Sequence, residues 1–394
     1  MAYDVIVVGT RVAGASTALL LARGGLRVLA VDRARFPSDT LSTHQIQVPG
    51  VARLARWGLL EPLLRTGTPP VRRIALDVDG VALTGTLPGY DGVDTLLSPR
   101  RTTMDGLLVD AARAAGAEVR HSVRVESLVF DGGRVAGIRI GGGHEERARL
   151  VIGADGKHST VAAAVRAAGY RSRPIRTFAS YTYWAGTAVT HGHLHLRPGR
   201  AVAVFPTDNG LTMAFVATRR DRFDAARRDL AAHYLAALDA CGDLGARLRA
   251  GQRAERLRTT PDLPNTYRVG HGPGWALVGD AGLVMDPVSA HGITHAFCDA
   301  ERVAAAVVAG LDHGDAALDA ALAAAMRRRD ADTARVYRLT QRLARLETPG
   351  LLRRVAATIA DRPAEVTALL GVFTGVLPPR RLVSARTALR LCVR

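Results

Sequence analysis

Gly9, Arg11, Ala13 and Gly14 lie in "DVIVVGTRVAGAS", Asp4 to Ser16, where a short apolar run meets a glycine-bracketed turn. A turn of this kind can offer an anion unpaired backbone N–H groups and the positive end of a helix. The spacing is that of a dinucleotide-binding fingerprint, G-x-G-x-x-G, with Arg11 in place of the middle glycine. The first glycine makes the tight turn, and the last lets the helix pack on the strand. Arg11 brings charge to a place suited to a diphosphate, but its bulk must point away. Asp32 closes the next apolar run, 23 positions after Gly9 and followed by Arg33, near the spacing of an acid that bonds an adenosine ribose. The alternative is a strand–helix–strand turn without a ligand.

Two distant segments repeat the theme of an apolar run ending in a polar turn. "LVIGADGKHSTV", Leu150–Val161, ends in Gly153-Ala154-Asp155-Gly156 and then Ser159. "WALVGDAGLVMDPVSAHGITHAFCDAERVA" ends a run in Gly279-Asp280. Pro287 follows, and then Ala290-His291-Gly292-Ile293 opens a helix containing Asp299.

The histidines are a second set of candidates. His191, His193 and His195 in "HGHLHL" alternate and so share one face of a strand. They read as a metal site, as lining of a substrate pocket, or as a solvated strand face. His291 and His295 are four apart on a helix, a spacing also used for zinc. His44 follows Ser42-Thr43 and is a candidate acid, base or substrate-orienting residue. Cys298 reads as a packing residue.

The elements that must position these residues are legible from periodicity. Val5–Val8 and "RVLAVD" are buried strands flanking a helix at about 13–23, which Gly24-Gly25 stops. Val71–Thr86 suggests a hairpin around "DVDG", and "RRTTMDGLLVDAARAAG" a helix. "AEVRHSVRVESLVFDGGRVAGIRI" predicts strands around an Asp131-Gly132-Gly133 turn. Residues of about 174–220, richer in aromatic and β-branched types, predict a separate sheet that includes "SYTYWAG" and "AVFPTDNG". Helical sequence fills about 221–250, and an Ala-rich helix runs to about Val308.

Bulk properties limit the partners. The net charge of +17 comes from arginines spread along the chain, with Lys157 the single lysine and no basic cluster interleaved with aromatics. That pattern argues against nucleic-acid binding. Cys241, Cys298 and Cys392 have no short spacing, which argues against disulfides or zinc and fits a reducing cytoplasm. The chain opens directly on a strand, so no signal peptide is expected. No apolar stretch reaches the ~18 residues of a membrane span. "VTALLGVFTGVLPPRR", interrupted by Gly371, Gly375, Pro378 and Pro379, reads as a packed helix, with peripheral membrane contact as the alternative. A monomer or homodimer acting on a small molecule is expected.

Taken in order, the fingerprint, the arginine helix, the Asp-Gly motif and the Gly-Asp motif resemble the p-hydroxybenzoate-hydroxylase-type flavoproteins. These are FAD-dependent aromatic hydroxylases, with geranylgeranyl reductases and flavin halogenases as cousins. "DRARFPSDTLSTHQI" adds a resemblance to a bacterial subgroup in which arginine at the middle glycine position is familiar. The resemblance implies an α/β fold with a Rossmann-type FAD-binding domain, an inserted α+β substrate domain and a helical C-terminus. It divides the chain into a discontinuous FAD-binding domain (1–70, 100–173 and 268–345), a substrate domain (71–99 and 174–267) and a C-terminal segment (346–394).

It also implies roles. Gly9, Arg11, Ala13 and Gly14 lie along the FAD pyrophosphate, Asp32 and Arg33 near the adenosine ribose, and Arg101 at the phosphate or ribityl chain. Asp155 and Gly156 adjoin the cofactor and the NAD(P)H approach, and Gly279-Asp280 meets the ribityl hydroxyls. Pro287, Ala290, His291, Gly292 and Ile293 face the flavin pyrimidine edge, and His291 joins His44 as a candidate catalytic residue. Ala290 and Thr294 depart from the family's glycine and asparagine, and Ala162 or Ala163 from its arginine. A halogenase's tryptophan-rich signature and separate catalytic lysine are missing. The expected activity is a monooxygenase that uses NAD(P)H and oxygen. The alternatives are a reductase or dehydrogenase of an isoprenoid-like or polyketide-like substrate and a flavin-binding protein without redox turnover.

Overall fold

A computed structural model describes residues 3–40, 42–348 and 350–378. Its core is a parallel sheet in the order His271–Gly272, Trp275–Leu277, His144–Gly153, Tyr3–Val8, Val28–Asp32, Glu118–His121, with only the first pair antiparallel. The alternation of side chains divides the first strand between two layers. Val5 and Val7 face the helices Val12–Arg23, Arg101–Ala114 and Gly292–Gly310. Ile6 and Val8 face the hairpin Val125–Asp131/Arg134–Ile140, whose Leu128, Val135 and Ile138 complete the other side. Burial on both faces explains why the strands read as unbroken apolar runs.

Because the strands are parallel, their carboxyl ends meet at one edge. Val8 stands beside both Val31 and Gly153, and Gly153 beside Leu277. Gly9, Asp32, Ala154 and Gly279 are thereby brought together, in the crevice where open α/β sheets take ligands.

A second sheet runs in the order Gln252–Arg253, Thr177–Ala185, Thr212–Arg219, Arg200–Pro206, Gly192–Arg197, Arg73–Val78, Val81–Thr86. The expected separate sheet therefore recruits the early hairpin, through a parallel pairing of Gly192–Arg197 with Arg73–Val78. On its outer face Trp184, Val202, Val204 and Val216 pack against the helices Leu230–Asp239 and Asp243–Ala250. Its inner face, with Tyr181, Tyr183, Phe205, Met213 and Phe215, joins the main core. A small third sheet links Gly169–Arg173, Asn265–Arg268 and Leu283–Val284.

The 29-residue helix Asp315–Leu343 packs along Gly292–Gly310. The helices Gly350–Ile359 and Pro363–Phe373 lie against the early hairpin, where Gly85 leaves room for Val366 and Leu370. The expected C-terminal helix is thus present as Pro363–Phe373, while Pro379 and Cys392 lie outside the described residues. No helix among the described residues is long and apolar enough to cross a membrane.

Candidate active site

The first turn answers the problem that Arg11 poses. A Cβ on Gly14 would stand 1.7 Å from the Gly9 carbonyl oxygen, so the last glycine of the fingerprint is required by close packing. Arg11 precedes the helix Val12–Arg23, and its guanidinium turns aside. It donates to the Ser38 carbonyl at 3.1 Å, the Ser38 hydroxyl at 3.0 Å and the Asp105 carboxylate at 3.3 Å. Asp105 is fully buried and also accepts two bonds from Arg101, at 3.0 and 3.1 Å. One carboxylate thus orients two arginines beside the turn.

Asp32 is buried at the end of its strand. One oxygen accepts from the Thr10 N–H at 2.8 Å and the other from the Ala34 N–H at 2.8 Å, so it shapes the turn from within; Arg33 beside it is exposed. Asp155 accepts from the N–H groups of Thr160 at 2.6 Å and Val161 at 3.3 Å, while its other oxygen is buried without a partner. Burial raises its pKa, against those hydrogen bonds.

Gly279 adopts φ +58°, and an added Cβ would reach Ala13 at 2.7 Å. Its N–H donates to buried Asp299 at 3.1 Å, and Asp299 pairs with Arg302. Asp280 projects from this turn into a recess that protein surrounds but solvent still reaches. The surrounding protein raises its pKa, opposed by Arg101, Lys157 and Arg268. Its carboxylate has no hydrogen-bond partner among the described residues. Arg268 ties this turn to the Asp155–Lys157 loop. It donates to the carbonyls of Asp280 at 3.2 Å, Ala281 at 2.9 Å and Lys157 at 2.7 Å.

The next turn, Pro287–Ser289, is capped by Asp286. That buried carboxylate accepts from the Val288 N–H at 3.0 Å and the Thr177 hydroxyl at 2.6 Å, and burial raises its pKa to about 6. Ala290 then takes φ +54°, the left-handed conformation for which the family keeps a glycine, at a cost of about 1–2 kcal/mol for an alanine. Thr294 accepts from the Gln47 N–H at 3.1 Å and so fastens the helix to the 45–50 segment. Ile293 is buried in the core.

The His291 imidazole turns to the C-terminal helix. Its Nε2–H donates to the Phe373 carbonyl at 2.9 Å, which anchors the C-terminal helix. Burial lowers its pKa to about 4. His295 stacks on it at 5.6 Å, with its pKa lowered to about 3 by burial and by His291.

His44 is buried at φ +61°, with Nε2 2.7 Å from the Tyr183 hydroxyl and Nδ1 without a partner. Burial first, and then Arg101 and Arg100, lower its pKa to about 3, so the imidazole is neutral at physiological pH. Burial raises the pKa of Tyr183, which keeps its proton. Arg100 lies 4.6 Å over the Tyr183 ring and pairs with Glu255; Arg258 pairs with Asp39 at 3.1 Å.

Next to this cluster, between the second sheet and the Pro287–Ala290 turn, lies a mostly apolar cavity that opens to solvent. The sheet supplies Leu194, Leu196, Phe205 and Phe215, and the C-terminal helix supplies Leu370 and Phe373. Leu194 and Leu196 face the cavity, so His191, His193 and His195 point to the other side of their strand. None of these three histidines lines this cavity. Their rings do align, at 4.3 and 6.5 Å between centroids. Among the described residues no group of His, Cys, Asp or Glu is arranged to hold a metal. Burial and the neighbouring histidines lower the His193 pKa to about 4. Cys298 is half-buried and burial raises its pKa to about 11, in keeping with a packing residue.

The crevice has the donor set of an FAD site. The helices Val12–Arg23 and Gly292–Gly310 point their N-termini there without a side-chain cap or an acidic first-turn residue. A Cβ on Gly292 would meet nothing within 4 Å. Open N–H groups suit a diphosphate, and the unpartnered Asp280 carboxylate suits hydroxyls.

This combination defines an FAD-dependent oxidoreductase of the p-hydroxybenzoate-hydroxylase-like type. The chain belongs to the FAD binding domain family, whose model matches residues 2–339. It is 27% identical over 308 residues to the menaquinone reductase of Mycolicibacterium smegmatis, covering 74% of this chain and 73% of that protein. It is 36% identical over 169 residues to the 6-methylpretetramide 4-monooxygenase of Streptomyces rimosus, a match covering 40% of this chain and 39% of the relative. Among solved structures, PqsL of Pseudomonas aeruginosa in complex with 2-aminobenzoylacetate superimposes with a TM-score of 0.74 at 21% identity, covering 94% of this chain and 99% of PqsL. The myxobacterial halogenase CndH gives 0.79 at 22% identity, covering 96% and 98%. At these identities the likeness is one of fold.

Several residues of the site were not visible from motifs. Asp105 carried a usable signal, its i,i+4 spacing from Arg101. Tyr183 lay in the "SYTYWAG" segment, whose aromatics read equally as core or pocket; Arg268 and the cavity-lining C-terminal helix carried no signal, because they meet the site only through tertiary packing.

Proposed function

We propose that the chain is a monooxygenase that uses NAD(P)H and oxygen to hydroxylate or epoxidise a small organic substrate. The observation that carries this reading is the apolar cavity bounded by the Pro287–Ala290 turn, next to the neutral His44–Tyr183 pair. When bound, FAD supplies the redox chemistry, taking electrons from a nicotinamide and delivering them to oxygen or to the substrate.

The chain's own residues bind, orient and exclude water. Gly9, Arg11, Ala13 and Gly14, with the helix that follows, would hold the diphosphate, Asp32 the adenosine ribose and Asp280 the ribityl hydroxyls. Arg101 would add charge to the phosphate or ribityl region. The backbone from Pro287 to Ile293 would present donors to the pyrimidine edge, where negative charge develops on reduction. Asp155 and Gly156 would border the nicotinamide approach. His44 would hold or pass a proton through Nε2 and the Tyr183 hydroxyl, while His291 acts through its backbone and its grip on Phe373. Residues 1–70, 100–173 and 268–345 would form the cofactor unit, 71–99 and 174–267 the substrate unit, and 346 onwards the helical C-terminal segment. The apolar walls would keep water from a step it would otherwise intercept.

A second reading is a reductase that uses no oxygen. It is favoured by a cavity lining without titratable groups and by the 74% coverage against a menaquinone reductase. NAD(P)H consumption and oxygen uptake, followed with and without candidate substrates, separate the two. Oxygen-coupled product supports the monooxygenase and anaerobic product the reductase. Neither product would leave a flavin-binding protein without turnover.

A further inference from the structure

Among the described residues, no Asp, Glu, Lys, Arg or His lines the cavity. Its polar groups are Thr43, Gln45, Gln47, Ser289 and Thr374. Two of the hydroxyls are engaged within the protein: Ser289 accepts from Thr340 at 2.7 Å, and Thr374 donates to the Leu370 carbonyl at 3.0 Å. The amides retain capacity. Gln47 Nε2 lies 3.4 Å from both the Ser289 and Ala290 carbonyls, which as acceptors fix the amide's orientation. Its Oε1 is buried without a donor, and the Gln45 side chain makes no hydrogen bond to the described residues. The remaining walls are aliphatic or aromatic. The neighbouring arginines are paired internally, Arg100 with Glu255, Arg101 with Asp105 and Arg258 with Asp39, and none lines the cavity.

We propose that this cavity selects an uncharged, largely apolar substrate with one polar edge, directed to the amides of Gln45 and Gln47 beside the Pro287–Ala290 turn. The proposal rests on the reading that the cavity is the substrate site of the FAD-dependent reaction. Buried amides want hydrogen-bond partners, and an uncharged hydroxyl, carbonyl or carboxamide supplies them. A carboxylate or phosphate would be taken from water into a lining whose described residues offer no cation to pair it.

The test uses the FAD-loaded protein and two isosteric probes, 1-naphthamide and 1-naphthoate, the second anionic at neutral pH. Binding is read from the flavin absorbance change and by calorimetry. The carboxamide is expected to bind about a hundredfold more tightly than the carboxylate or better. Replacing both amides, Gln45→Leu with Gln47→Leu, is expected to weaken naphthamide about tenfold. Ala203→Phe, which fills the cavity from the second sheet, is expected to abolish naphthamide binding with the Kd for FAD unchanged. Equal or tighter binding of naphthoate, full binding by the Ala203→Phe protein, or no binding of either probe by the loaded enzyme overturns the proposal. A wild-type protein that takes up no FAD refutes the cofactor reading, and the proposal falls with it.

Discussion

Asp286→Asn is a perturbation whose size follows from the structure. Asp286 is fully buried beneath the Pro287–Ser289 turn, where it accepts from Thr177 and Val288. Burial raises its pKa from 3.8 to about 6. A native state that holds the proton more tightly than the unfolded chain is stabilised most below the unfolded pKa. That contribution is lost as pH rises through about 6. At about 1.4 kcal/mol per pH unit, the loss between pH 3 and pH 7 is about 3 kcal/mol. Asparagine can keep the Val288 bond, and the Thr177 hydroxyl can rotate to accept from its amide, so the pocket stays satisfied without a titrating group. Urea unfolding midpoints at several pH values, at fixed saturating FAD, give the comparison. The variant is expected to gain on the wild type by about 3 kcal/mol as pH rises across this window. Parallel stability curves for the two proteins would show that Asp286 does not titrate as its burial requires.

Asp280→Ala removes the unpartnered carboxylate of the crevice. It should weaken FAD binding tenfold to about a hundredfold, as for a charge-assisted hydrogen bond of ~1.5–3 kcal/mol; a fully yellow variant after purification would refute its role. Arg268→Met frees the Asp280, Ala281 and Lys157 carbonyls. It should lower FAD affinity, seen in titration by flavin fluorescence, with a smaller effect for Arg268→Lys. Tyr183→Phe strips buried His44 of its 2.7 Å partner. Thermal unfolding should show a loss of about 1–3 kcal/mol, and turnover should fall with little change in FAD affinity.

The parallel core was legible because both faces of its strands are buried, so Val5–Val8, Val28–Asp32 and Leu150–Gly153 stand out as apolar runs closed by polar turns. The Gly9, Asp155 and Gly279 turns converge because parallel strands share one carboxyl edge, and their order along the chain carried that information. Side-chain direction was less accessible. Period-two spacing put His191, His193 and His195 on one face but could not say which face meets the cavity; the packing of Trp184 and Val204 under the outer helices decides that. Position within the Pro287–Ile293 motif placed His291 at the cofactor, whereas its imidazole is held by Phe373, 82 residues later. No local pattern announces a partner at such a distance. Arg11 was legible only in part. The need for its bulk to turn away could be read, but Ser38 and Asp105 as its destination depended on how three segments pack.

The bond from His291 to Phe373 joins the turn beside the crevice to the helix that roofs the cavity. The last described helix is therefore a wall of the cavity, whose fit depends on residues far from any motif.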